Sequence, residues 1–391
     1  MTNLFEDDAP IFNVVDVSGG VSPQQSTSII YKPWHKPRKQ FVRDKQWWFH
    51  LDRMLSRSAA YKDVSVIKYF GLPGADLLDV NYLSKKMSAA FVEKKLLVHG
   101  FIDNAAEKAQ ADLRLSELLD KSNVDRQSKV DRYNFNALAV KGSLAVEKLK
   151  EQGAYHLINL DFCDGIFKQE TFKSMMVLFN IQFAYMLDKP WLLCLTTRAD
   201  EGGVAQELLA DLNRVFLEEL SDDKEFLSAL AKHRVAILAL IVAKKSIADG
   251  QVVGADLSEV LQACFLYWVV CHSHQNGARM EVVSLMKYKV HGGSVYPDMY
   301  SYVVRFTKKF SGKTDMLGVV KPAEGEKESV ISHADICSDK NNAVKKLSET
   351  LDIDDYLMSN PECYDLYAGE MKELLVECGW DISDYDESVR L

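Results

Sequence analysis

The sequence predicts an α/β fold: a doubly wound, mostly parallel, seven-stranded sheet with an antiparallel hairpin edge and helical additions. Three observations lead there. From about Val64 to Asp200, short apolar runs alternate with amphipathic stretches of helix length. That alternation requires right-handed crossovers, and so a parallel sheet with helices on both faces. Two long helical stretches follow, and then two strand-like runs joined by a turn around His291 to Pro297. With 47% hydrophobic and 26% charged residues in 391, the chain can bury the core of one large or two medium domains.

Residues 1–27 end in DVSGGVSPQQSTS, which has little to bury, and are expected to form a mobile leader. Residues 28–60 interleave Lys32, Lys36, Arg38, Lys39, Arg43 and Lys45 with Trp34, Phe41, Trp47 and Trp48. Pro33 and Pro37 predict an extended start to this arm. Phe41, Trp48, Leu51, Met54 and Leu55 then form a helical stripe. An α/β domain over 61–312 opens with VSVIKYFGLPG as its first strand and ADLLDVNYLSKKM as its first crossover helix. KKLLVHGFID, a weaker strand in RQSKVDRYNFNALAV, AYHLINLDFCDG and KPWLLCLTTRAD supply strands two to five, with helical stretches between them. The helical stretch from about 223 to 274 and the runs in RMEVVSLMKYKVHGGSVYPDMYSYVVRFTKK complete it. Residues 313–391 read as an acidic tail with a small helical module near 365–380. Twelve acids face one lysine, Lys372, between Asp352 and Glu387.

Composition also excludes. A net charge of −9, from 47 basic and 56 acidic side chains, argues against a protein that coats nucleic acid over its whole surface. The longest apolar stretches reach about half of the roughly 18 to 20 residues a membrane span needs, so no membrane partner is expected. MTNLFEDDAP lacks the basic and apolar regions of a signal peptide, which points to the cytoplasm. Seven scattered cysteines without a CxxC pair predict reduced thiols and no metal. Cys264, Cys271 and His274 share a helical face, but LQACFLYWVVCH has the neighbours of a buried helix, which favours core packing. No GxSxG, P-loop, HExxH or EF-hand pattern occurs.

Ligands of an open parallel sheet bind at the carboxyl ends of its strands. Those ends hold the candidate site. The first turn, YFGLPGADLLD, offers Gly71 and Gly74 for close approach or positive φ, stiffened by Pro73. Asp103 ends the second strand and is either a ribose-binding carboxylate or the N-cap of the following helix. Asn134 and Asn136 end the third strand, as adenine contacts or as strand terminators. Asn159, Asp161 and Asp164 end the fourth, where Phe162 offers a stacking face. A buried acid at the end of a central strand needs a partner or a function.

In this order of features the chain resembles class I S-adenosylmethionine-dependent methyltransferases, over about Lys62 to Lys309. Its "LINLDFCDG" and "LLCLTTRAD" are similar to the fourth and fifth strands of nucleic acid methyltransferases of the tRNA dimethylguanosine and three-Cys-motif partner type. The resemblance implies S-adenosylmethionine as cofactor, held by Gly71, Pro73, Gly74, Asp103, Asn134 and Asn136. It implies Asp161 beside the transferred methyl group, with Asp164 as a second catalytic candidate. Departures stand at YFGLPG, where an acid and three glycines are usual, and at Cys163 and Asp164, where a proline and an aromatic are usual. Two functions follow as expectations. One is a methyltransferase-like protein that acts on or binds DNA or RNA, with Lys36, Arg38, Lys39 and Arg43 on phosphates and Trp34 on bases. The other is an inactive methyltransferase-fold subunit of a bacterial multi-protein assembly such as phage defence, whose arm or acidic tail docks a protein partner. The arm has a further option, to lie along the chain's own acidic surface.

Overall fold

The computed structural model describes residues 30–121, 123–186, 188–291, 295–309 and 331–389. The leader expected at 1–27 lies outside the described residues, as do residues 292–294 of the expected hairpin turn.

A 3-10 turn at Pro33–His35 leads into α1 (Pro37–Phe41), a π-helical stretch (Val42–Trp48) and α2 (Phe49–Arg57), which run on without a break. Extended backbone ends at Lys36, with φ −91° and ψ 153°, as suits a residue before proline. Pro37 therefore does not hold the arm straight as expected. It starts the helix, where a missing N–H costs nothing.

The predicted alternation follows. β1 (Val66–Gly71), α3 (Leu78–Ala90), β2 (Lys95–Phe101), α4 (Ala105–Leu119), β3 (Lys129–Asp131), α5 (Leu144–Glu151), β4 (Leu157–Gly165), α6 (Gln169–Tyr185) and β5 (Trp191–Arg198) appear in turn. Next come α7 (Leu209–Arg214) and α8 (Leu220–Asp222), with a π-helical turn between them. The single stretch expected from 223 to 274 is instead three helices, α9 (Lys224–His233), α10 (Val235–Val242) and α11 (Gly254–Gln275). Positive φ at Lys244, Gly250 and Gly254 turns the chain between the last two, a conformation that no α-helix continues. β6 (Ala278–Tyr288) and β7 (Met299–Lys308) form the expected hairpin. The chain ends with α12 (His333–Ser348), β8 (Leu351–Asp352), α13 (Ile353–Ser359), α14 (Pro361–Glu377) and α15 (Tyr385–Ser388).

One sheet has the order β3-β2-β1-β4-β5-β7-β6-β8. β1 to β5 are parallel, and β7 runs antiparallel to both β5 and β6. This is the doubly wound, mostly parallel sheet implied by the resemblance, with one correction. The sheet has eight strands, because β8 pairs in parallel with β6 and covers the hairpin's outer edge.

Alternate side chains of the strands fill separate apolar layers, as a period of two requires. Phe70, Ile158 and Leu193 share one layer with Phe179, Phe265 and Val344. Tyr69, Leu157 and Val98 share the other with Trp47, Leu51, Leu83, Ile353 and Tyr367. Arm and C-terminal helices thus complete one layer of the core, and polar contacts reinforce the join. Arg38 Nη1 lies 3.1 Å from Asp354, Gln40 Nε2 2.9 Å from Glu370, and the Tyr367 hydroxyl 2.9 Å from Asp44. The arm lies along the chain's own acidic surface. Among the described residues, no helix is long and apolar enough to cross a membrane.

Candidate functional site

Strand order reverses about β1, with β2 on one side and β4 on the other. Such a reversal leaves a crevice beyond the strand ends. Here it is a cleft of about 980 Å³, at the upper end of the size of cofactor sites. Pro73, Gly74, Asp103, Asn134, Asn136, Asp161, Asp164 and Trp34 all line it. Residues from four separate strand ends and from the arm therefore converge on one space.

Gly71 does not line the cleft. A Cβ there would overlap the Tyr69 ring, so glycine at 71 serves the packing of β1. Gly74 takes no positive φ, contrary to one of the two uses expected for it. A Cβ on Gly74 would meet nothing within 4 Å, which leaves open space against the backbone. The unusual conformation in this turn belongs to Leu77, at φ 50° and ψ 32°, just ahead of α3. A non-glycine residue held there costs on the order of 1–3 kcal/mol, and full burial of the Leu77 side chain offsets it.

Asp103 is not the helix cap. Asn104 is, accepting hydrogen bonds from the backbone N–H of Ala106 at 2.8 Å and Glu107 at 3.2 Å. Asp103 stays exposed and accepts from Asn134 Nδ2 at 2.9 Å. Asn134 also receives the Asn136 N–H at 2.8 Å, which fixes a 3-10 turn over Phe135–Ala139. Asn136 Oδ1 accepts from the Thr171 hydroxyl at 3.2 Å. Phe135 and Phe162 meet edge to face, ring centres 5.3 Å apart, and give the cleft an apolar wall.

Asp161 is ion-paired. Lys39 Nζ lies 2.6 Å from its carboxylate, 3.3 Å from the Thr196 hydroxyl and 4.6 Å from the centre of the Trp47 ring. Burial works against the Lys39 charge, but the Asp161 carboxylate outweighs it and the ammonium pKa lies above its ordinary value. Asp164 is exposed, accepts the Gly165 N–H at 2.7 Å and pairs with Lys168. Register shifts between Asp161 and Gly165. Gly165 is required there, because a Cβ would collide with the Gly203 carbonyl.

Of the four cations expected to meet phosphates, Arg38, Lys39 and Arg43 are corrected, since they meet the chain's own acids. Arg43 Nε lies 2.6 Å from Asp79, and Arg43 Nη2 donates to the Trp34 carbonyl at 3.1 Å. Arg38 meets Asp354 and the Lys289 carbonyl, and Lys39 meets Asp161. All three are buried, because the polar positions of the arm helix face acids of α3, α13 and β4. Lys36 and Trp34 are half-buried and Lys32 is exposed at the cleft. Cys264 packs in the core, while His274 Nε2 lies 3.0 Å from Asp339.

Sequence reasoning does not reach two contributors. Asp76 lines the cleft and accepts from Gln110 Nε2 at 2.6 Å and Trp380 Nε1 at 3.1 Å. Trp380 in turn meets His35 edge to face at 4.5 Å. Asp76 is in the quoted ADLLD turn and could have been counted among the cleft acids. Trp380 has no such local cue, since 304 residues separate the two. Burial and the nearby Arg43 and Lys32 charges lower the His35 pKa to about 3, so its ring is neutral at pH 7.

Solved structures similar to the chain include S-adenosylmethionine-dependent methyltransferases. An rRNA methylase from Streptococcus thermophilus is 10% identical, with 72% of this chain and 99% of that chain covered and a TM-score of 0.31. A S-adenosylmethionine-dependent methyltransferase from Agrobacterium tumefaciens is 9% identical, covering 69% and 63%, with a TM-score of 0.29. A modification subunit assigned to a type I restriction enzyme from Vibrio vulnificus YJ016 is 7% identical, covering 72% of this chain, with a TM-score of 0.34. The chain spans 45% of that subunit's length. No curated protein matches. The profile of the PP_RS20740-like family matches residues 29–390, arm, sheet and C-terminal helices together, and the chain belongs to that family.

Proposed function

We propose that the cleft binds S-adenosylmethionine and that the protein is methyltransferase-like, meeting a nucleic acid acceptor at its rim. The observation that carries this reading is the convergence of Gly74, Asp103, Asn134, Asn136 and Asp161 on one cleft at the switch point of the sheet. The residues present suit the cofactor. Asp103, exposed and steadied by Asn134, is placed to accept from a ribose diol. Phe135 and Phe162 offer apolar faces to a purine, and open space at Gly74 admits the methionyl end close to the backbone. Bound there, S-adenosylmethionine supplies an electrophilic methyl group on a sulfonium. Asp161 and Asp164 stand at the β4 rim, the side left for the acceptor.

One observation favours the inactive-subunit reading. The Asp161 carboxylate is already matched by the Lys39 ammonium, which weakens it as a proton acceptor. Calorimetry separates the outcomes. Micromolar binding of S-adenosylmethionine and S-adenosylhomocysteine, weakened at least about tenfold in Asp103→Ala, is the expected result, since one lost charge-assisted hydrogen bond costs about 1.5–3 kcal/mol. No binding at millimolar ligand overturns the cofactor reading. Binding without transfer to any DNA or RNA acceptor leaves the subunit reading.

A further inference from the structure

His333 and Cys337 stand four residues apart on α12, so both side chains share one helix face. Glu225 lies in the first turn of α9, which packs against α12. Cys337 Sγ is 3.5 Å from His333 Nε2, and His333 Nε2 is 3.7 Å from Glu225 Oε1. All three donor atoms lie within 4.8 Å of one another. A tetrahedral zinc ion, with Zn–S about 2.3 Å and Zn–N or Zn–O about 2.1 Å, sets neighbouring S and N about 3.5 Å apart and N and O about 3.4 Å apart. The Cys337–His333 and His333–Glu225 pairs already stand close to that spacing.

We propose that Glu225, His333 and Cys337 form a zinc site that fastens the first turns of α12 to α9. A thiolate, an imidazole and one carboxylate are a donor set for zinc, whereas magnesium and calcium take oxygen alone. The carboxylate is oriented from behind: Glu225 Oε2 faces Lys340 Nζ at 3.7 Å, and Lys340 is itself held by Asp223. Oε1 is thereby left toward His333. His333 is exposed and the other two are half-buried, so a cation has an entry path and water can complete a fourth position. On binding, the Cys337 thiol gives up its proton to solvent and its sulfur bonds the metal. The site shares no residue with the cleft.

Cobalt(II) is the probe. Full-length protein titrated with it is expected to bind one equivalent with a thiolate-to-cobalt charge-transfer absorption, which zinc then displaces. Cys337→Ser should abolish that absorption, His333→Ala should weaken binding at least about tenfold, and Cys163→Ser, which changes the exposed cysteine in the cleft, should leave it unchanged. Zinc should raise the thermal midpoint of the native protein and not of Cys337→Ser. These side chains are at the surface, and far-ultraviolet circular dichroism checks that each variant is folded. No absorption at saturating cobalt, or an absorption that survives Cys337→Ser, overturns the site.

Discussion

Asp161 and Lys39 are 2.6 Å apart, with the lysine side chain 4% and the aspartate side chain 16% exposed. A pair this buried gains little over apolar replacements, but removing one partner strands the other's charge. Lys39→Met and Asp161→Leu should each destabilise the protein by about 3 kcal/mol, and the double variant by much less than their sum. Denaturant unfolding of the four proteins measures this, and additive losses would show that the ions do not depend on each other. His35 makes a second prediction. Its folded pKa, about 3 against an ordinary 6.5, results from burial and then from the Arg43 and Lys32 charges. Between those values the unfolded chain binds a proton that the folded chain refuses. Stability should therefore be level above pH 6.5 and fall below it, by about 1.4 kcal/mol per pH unit for this group. His50 and His156, both lowered to about 4 chiefly by burial, act in the same direction. His35→Asn should remove its share of that slope in unfolding measured from pH 7 to 4, and an unchanged slope would mean that the His35 ring is not the group refusing the proton. Cleft residues such as Asp103 and Asp161 are legible in the sequence because strand ends are legible. Lys39 as the partner of Asp161 is not, since 122 residues separate them and a lysine on a polar helix face predicts only solvent.

At the scale of elements, the alternation from β1 to β5 is readable because β1, β2, β4 and β5 each hold an apolar run and helical stretches separate them, whereas β3 has a single apolar residue, Val130, and reads weakly. The break between α10 and α11 is less so, as neighbouring apolar stretches on both sides keep a helical period. The arm shows what local pattern leaves out. Its interleaved cations and aromatics suit phosphates and bases equally well as they suit acids and a core, and the acids it meets lie on α3, β4 and α13. For nucleic acid this leaves Lys32, which lines the cleft with Trp34, and Lys36, which is half-buried and outside the cleft lining. Replacing both lysines by glutamate should weaken binding to single-stranded DNA or RNA and lower the salt slope by about 1.4, about 0.7 for each phosphate no longer neutralised. Filter binding across a salt series measures it. An unchanged slope would take the arm out of the acceptor site altogether, and the acceptor would then have to be held elsewhere on the rim.

Over the whole molecule, residues 331–389 do not behave as an appendage to the sheet. Ala343, Val344 and Leu347 are buried in one apolar layer, and Ile353, Leu357 and Tyr367 in the other. Met371, Leu374 and Leu375 enclose a third cluster with Tyr31, Leu78 and Tyr82. β8 extends the sheet, and Trp380 reaches Asp76 at the cleft. Acidic composition conceals this, because part of the charge lies on exposed helix faces and part, as at Asp339 and Asp354, is paired with cations of the rest of the chain. Burial on this scale couples the region to the global transition, since side chains shared between layers lose their partners together. Equilibrium unfolding in urea should therefore give one midpoint by far-ultraviolet circular dichroism and by tryptophan fluorescence, and Trp380→Phe should not reveal an earlier step. A chain ending at Lys309 should lack cooperative unfolding and bind a hydrophobic dye, because it uncovers both apolar layers. A separate, earlier transition assigned to Trp380 would instead mark the C-terminal helices as an independent unit, and the cleft would then have to form without them.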